Sequence, residues 1–174
     1  MSQHASISRP VKWGGVLLTL VPLSVALVLP WLAGLSFYPS AVLVGTLGYL
    51  AFRIFVVRFG LCADHRRGIT MTRRGRFEDG LHAFQESEQV WAGRPTLDRF
   101  RAVLLGSGAA YTYLVLARYN QAYSLSRLGR GDEALALLES VLAEDPSMYM
   151  ARELRDVLLA GSALHPEVGE AMRG

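Results

Sequence analysis

Residues 13–52 form a run of forty without a single Asp, Glu, Lys, Arg or His. Such a run must be taken out of water, and a helix crossing the hydrocarbon core of a bilayer needs roughly 20 apolar residues. The run therefore has room for two. The pattern predicts a transmembrane helical hairpin over residues 14–58, with spans at 14–35 and 41–57 and a neutral turn at 36–40 that contains Pro39. Pro22 and Pro30 fall inside the first span. Each removes a helix hydrogen bond, a defect that membrane helices tolerate. Arg53 enters the last turns of the second span, where its stem can lie along apolar surface while the guanidinium reaches the interface. Ala41, Gly45 and Gly48 recur at i, i+4 and i+7. That small-residue stripe suits close helix packing, against the first span or across a homo-oligomer.

Charge sets the expected orientation. Residues 1–76 carry nine basic residues and one acid, whereas residues 77–174 carry nine basic and fourteen acidic. The pI near 9.3 thus belongs to the flanks of the apolar run, not to the distal part. Arg9 and Lys12 precede the first span, basic residues from Arg58 onward follow the second, and the turn between them has no charge. The positive-inside rule then places both termini in the cytoplasm. The expectation is an integral protein of a bacterial inner membrane, with the lipid bilayer as one partner and residues 1–13 as a cytoplasmic lead segment. Nucleic acid is not expected as a partner. A cleaved signal peptide is the competing reading, but no A-x-A site ends its apolar core and the apolar run continues past it. A hairpin buried inside a water-soluble fold is the other.

Beyond residue 60 the pattern changes to amphipathic helix. In YNQAYSLSRLGRGDEALALLESVLAEDP, residues 119–146, Leu125, Leu128, Leu135, Leu138, Val141 and Leu142 make an apolar stripe. Gly129 and Gly131 break the chain between two helices. Asp132 and Glu133 suit the start of the second, and Pro146 ends it. This segment resembles a tetratricopeptide repeat, a helix–turn–helix unit of about 34 residues. With Pro146 on the closing proline of that repeat, Ala134 takes the small position of its second helix. Leu138 takes the large apolar position and Gly129 the turn. Ala122, Leu125 and Val141 depart from the family's usual glycine, tyrosine and alanine.

A weaker copy precedes it. GRFEDGLHAFQES at 75–87 echoes GRGDEALALLESV at 129–141, with Gly75 on Gly129, Gly80 on Ala134 and Phe84 on Leu138. The offset is 54 residues, so extra chain intervenes, including a short helix after Pro95 with Thr96 as a candidate cap. The first helix of this copy falls at 62–74, where Gly68 and Thr70 lower its intrinsic helix propensity. A long helix at 109–128, a capping helix at 147–160 and a flexible tail at 161–174 complete the reading. The fold class expected is all-α: the hairpin, then a short tetratricopeptide-like cytoplasmic domain at 62–160.

The resemblance implies a surface that docks another protein or peptide and no chemistry of its own. By position in the family, Asn120, Gln121, Ser124 and Arg127 are the implied contacts. Arg66, Arg67, Arg73, Arg74 and Arg76 form a basic cluster suited to anionic headgroups or to an acidic partner. Cys62 and His65 have C-x-x-H spacing, but zinc needs three or four ligands and no second cluster follows. Gly106-Ser-Gly108 lacks the G-K-[ST] ending of a phosphate loop. No catalytic, cofactor-binding or metal-binding residue is assigned, and the chain is not expected to be an enzyme. The expected function is a membrane-tethered interaction or scaffold module. The alternatives are an accessory or assembly subunit of a larger membrane complex, and a membrane enzyme whose site has no recognisable motif.

Overall fold

A computed structural model describes residues 24, 25, 28, 39–52, 55, 59–105 and 107–164. Among these the fold is all-α, with no β-strand. The helices are α1 (Pro39–Phe52), α2 (Ala63–Arg73), α3 (Phe77–Ala92), α4 (Pro95–Arg99), α5 (Arg101–Leu104), α6 (Tyr113–Arg127), α7 (Gly131–Glu144) and α8 (Tyr149–Leu164).

The membrane expectation is corrected. Among the described residues no helix is long and apolar enough to cross a membrane. Where the second span was expected, α1 has 14 residues. At about 1.5 Å of rise per residue that is roughly 21 Å, against a hydrocarbon core of about 30 Å. The placement as an integral inner-membrane protein with both termini inside therefore falls. The uncharged run measured apolar composition but not the length of unbroken helix. The first span, Arg53 and Arg58 lie outside the described residues, apart from Ser24, Val25 and Val28. The small-residue stripe gains no partner at Gly48, where an added Cβ would meet nothing within 4 Å. Gly45 is half-buried, and the side chain of Ala41 lies outside the description.

Residues 62–164 hold the packed core. α2 packs on α3, α3 on α6, α6 on α7 and α7 on α8, with α6 also touching α2 and α8. Two antiparallel helix pairs, α2/α3 and α6/α7, therefore lie side by side, and α8 covers the end. α6 is central: ten of its fifteen residues are buried. The apolar stretch around Tyr111 to Leu116 is thereby covered, with Tyr111, Tyr113, Val115 and Leu116 buried. One cluster joins α6, α7 and α8 through Leu116, Tyr119, Leu138, Val141, Met148 and Leu154. A second joins Cys62, Trp91, Leu105 and Tyr113, with Trp91 stacked on Tyr113 at 4.6 Å and 16°.

The two pairs repeat one turn. Gly75 and Gly129, 54 residues apart, are the only described residues with positive φ, both at +77°. The amide of Arg76 donates to Met71 O and that of Arg130 to Leu125 O, each at 3.0 Å. Gly75 N reaches Thr72 O and Gly129 N reaches Ser126 O. Arg76 and Arg130 each precede a helix and pair three residues on, with Asp79 and Glu133, at 2.6 Å in both cases. A left-handed residue closing the first helix and an amide reaching back across it are the C-terminal motif that glycine permits.

Three boundaries differ from the sequence reading. The helix after Pro95 is two pieces, α4 and α5, and Thr96 makes no cap. α6 begins at Tyr113, capped by Thr112, whose Oγ1 accepts from Val115 N at 3.3 Å. α8 runs on to Leu164, so the start of the expected tail is helical. Gly68 is not a defect of α2. An added Cβ there would lie 2.6 Å from the Phe84 ring, so the glycine admits that ring between the helices.

Candidate partner-binding surface

The four positions implied on α6 do not share one environment. Asn120, Gln121 and Ser124 are buried at 2%, 5% and 0% exposure, because α6 has neighbours on most of its circumference. Ser124 Oγ donates to Asn120 O at 2.9 Å. Gln121 Nε2 donates to Glu88 Oε2 at 2.7 Å and to Phe84 O at 3.4 Å. Asn120 Oδ1 is buried and accepts no hydrogen bond. Arg127 alone is exposed, its guanidinium carbon 5.2 Å from the centroid of Phe77.

Gln121 belongs to a network that the sequence did not announce. Arg118 Nε donates to Glu88 Oε1 at 2.7 Å, and its Nη1 to Glu144 Oε2 at 2.8 Å. One guanidinium thus ties α3, α6 and α7 together, and Glu88 divides its two oxygens between Arg118 and Gln121. The fork geometry of arginine suits this double role. Arg118 and Glu88 are 30 residues apart, so no local spacing marks the pair. Arg118 and Glu88 are about a quarter exposed, which leaves the network partly open to solvent.

The basic cluster divides. Arg67 lies 3.7 Å from Glu86, and Arg76 is held by Asp79. Arg73 and Arg74 are exposed at the end of α2, and Arg66 is half-buried. On the opposite turn, Glu133 is held below the usual carboxylate range by the hydrogen bond from Arg130. The same hydrogen bond pushes Arg130 up, and Glu78 of the first pair adds to it electrostatically. The contact of Arg127 with Phe77 brings the two turns together.

Cys62 and His65 both face inward, at 4% and 1% exposure. His65 Nδ1 lies 3.4 Å from Ser87 Oγ, and the ring meets Phe84 and Tyr113 edge-on. This serine and histidine have hydrogen-bonding geometry, but both are sealed in the interface between α2 and α3. Among the described residues no group of three His, Cys, Asp or Glu could hold a metal ion.

Asp98 is a buried carboxylate with two backbone donors. At 3% exposure, it accepts from Tyr113 N at 2.8 Å and Leu114 N at 2.9 Å. It thus closes the first turn of α6 from a separate helix. Burial pushes its carboxyl up, against the two backbone donors and Arg101, which pull it down. Arg101 donates to Asp98 O and Ala109 O and so ties α5 to α4 and to the segment leading into α6; burial lowers its own pKa.

No protein-family model matches the chain, and no curated protein and no solved structure matches it.

Proposed function

We propose that residues 62–160 form a tetratricopeptide-like module that docks a segment of another protein. The observation that carries this reading is the doubled turn: two helix pairs with the same hydrogen bonds, the same glycine conformation and the same arginine–carboxylate pair stand side by side. Stacked helix pairs make an extended surface from equivalent positions of successive pairs. Of the four implied contacts, Arg127 is the one at the surface. Asn120, Gln121 and Ser124 support α6 from within.

The test is to pan a displayed random-peptide library against the full chain and to map a selected peptide by amide chemical shifts. The expected result is one family of peptides whose shifts fall on α2, α6 and the turns that follow them. Enrichment of no sequence, or shifts confined to α8, would sink the reading.

A further inference from the structure

The end of the stack where the two turns meet carries positive charge that the fold does not use. Five arginines lie there: Arg73, Arg74, Arg76, Arg127 and Arg130. Four carboxylates lie at the same end. Asp79 is taken by Arg76 and Glu133 by Arg130; Glu78 acts on Arg130, and Asp132 is exposed at the start of α7. Among the described residues Arg73, Arg74 and Arg127 make no ion pair.

Arg127 and Arg73 are equivalent, each the last residue of the first helix of its pair. The second pair's copy does not point away from the first. Its guanidinium rests on Phe77, the residue that opens α3 just after Arg76. One aromatic ring therefore brings a cation of the second pair to the turn of the first. A guanidinium over a ring can keep N–H groups turned to solvent, and a guanidinium edge matches a carboxylate in two parallel hydrogen bonds.

We infer that this arginine edge, Arg127 over Phe77 together with Arg73 and Arg74 at the end of α2, binds a glutamate- or aspartate-rich segment of a partner protein. The inference rests on the interaction-module reading and adds the chemistry of the ligand. Three cations drawn from the ends of two helices suit several carboxylates along one chain better than a single phosphate at one point. Attraction of this kind acts within about 10 Å at 0.1 M salt and weakens as salt rises.

The experiment measures fluorescence anisotropy of labelled ten-residue peptides with the full chain: one rich in Glu, its Gln counterpart, its Lys counterpart and an apolar–polar mixed peptide. Inorganic phosphate and phosphatidylglycerol vesicles are run as separate arms. The Glu peptide is expected to bind about tenfold more tightly than the Gln peptide, and to lose about that factor in the triple variant Arg73→Gln, Arg74→Gln, Arg127→Gln. The triple Arg→Lys variant, which keeps the charge but loses the paired N–H edge, should bind more weakly than wild type while still preferring the Glu peptide over the Gln peptide. A control triple, Arg94→Gln, Arg99→Gln, Arg152→Gln, changes net charge equally at exposed sites elsewhere and leaves binding within about twofold. Equal losses in both Gln triples would overturn the inference by assigning the effect to net charge. Vesicle or phosphate binding without Glu-peptide binding would overturn it in favour of another anion. Binding of the mixed peptide with no preference for Glu would overturn the inference while the module reading stands. Binding of no peptide at all would remove both.

Discussion

At matched interior positions 54 residues apart, the two helix pairs use different side chains. The first pair has His65, Gly68, Gly80, Phe84 and Ser87; the second has Tyr119, Ala122, Ala134, Leu138 and Val141. The backbone turn between the helices is shared, down to its hydrogen bonds and φ angles. What differs is how the interface is filled. The first pair sets the Phe84 ring against Gly68 and the Thr72 side chain against Gly80, and adds a polar histidine–serine contact. The second uses Tyr119, two alanines and two aliphatics. Close packing fixes total volume and leaves its distribution free. A repeat can therefore persist in the backbone while fading from the pattern of apolar residues.

The comparison is broken most forcefully at its largest side chains. Phe84 and Leu138 are both fully buried. Truncating either leaves a cavity as well as losing transfer free energy, so Phe84→Ala and Leu138→Ala should each cost about 3–5 kcal/mol in urea unfolding of the full chain. If Phe84→Ala costs under about 1 kcal/mol while Leu138→Ala keeps its full effect, the first pair has no core of its own and the matching is empty.

Next in size is the way the first helix of each pair begins. α2 starts at Cys62 with no side-chain cap. α6 is capped by Thr112 and by both oxygens of Asp98. Asp98→Ala strands two backbone N–H groups and should cost about 2–4 kcal/mol, with no counterpart on α2. Asp98→Asn reads the electrostatics. Burial raises the Asp98 carboxyl above its ordinary value of 3.8, so the folded chain holds that proton after the unfolded chain has released it. The stability tied to this group is complete below the ordinary aspartate range and is lost as pH rises through the raised value. The difference in unfolding free energy, wild type minus Asp98→Asn, should therefore fall as pH climbs from about 4 and then level off. A difference that rises with pH would mean that the two donors and Arg101 outweigh burial.

These contrasts explain what could be read in advance. The helix pair at 119–146 was legible because its signals are local: a stripe at helical spacing, a glycine turn and a closing proline. The first pair was half legible, since Gly75, Gly80 and Phe84 align but Gly68 was taken as a weakness of α2. Propensity measures a glycine in an exposed helix; at a crossing the missing Cβ is what admits the Phe84 ring. The membrane reading is overturned because, among the described residues, no helix is long and apolar enough to cross a membrane, and α1 spans 14 residues. The surface was the least legible part. Asn120, Gln121 and Ser124 were assigned outward by position, yet α6 is enclosed by α3, α7, α2 and α8. The Arg118–Glu88 pair and the Asp98 cap join residues 30 and 15 apart, and only the folded arrangement brings them together.

The exchange of volume can be tested directly. Gly68→Ala places a methyl 2.6 Å from the Phe84 ring, and the ring or a helix must shift, at about 1–3 kcal/mol. Phe84→Leu instead leaves space above Gly68, at about 1–2 kcal/mol. Together they install the second pair's combination, Ala with Leu, and the double variant should cost less than the sum by about 1 kcal/mol. Strict additivity would show that the two pairs do not solve the same packing problem.

The smallest expected effect is also the sharpest test of likeness, because it asks for equality. Gly75 and Gly129 share φ of +77°, and an added Cβ at either meets nothing within 4 Å. Substitution by alanine then costs only the strain of the left-handed backbone, about 1 kcal/mol, with no steric term to separate the sites. Gly75→Ala and Gly129→Ala should thus give the same loss within about 0.3 kcal/mol, even though the interiors behind them differ by a phenyl ring and a histidine. Equal losses would show that the turn is an autonomous unit of the fold, set by its own hydrogen bonds. Unequal losses would show that the interior reaches the turn, and the more costly site would identify the pair whose packing holds it.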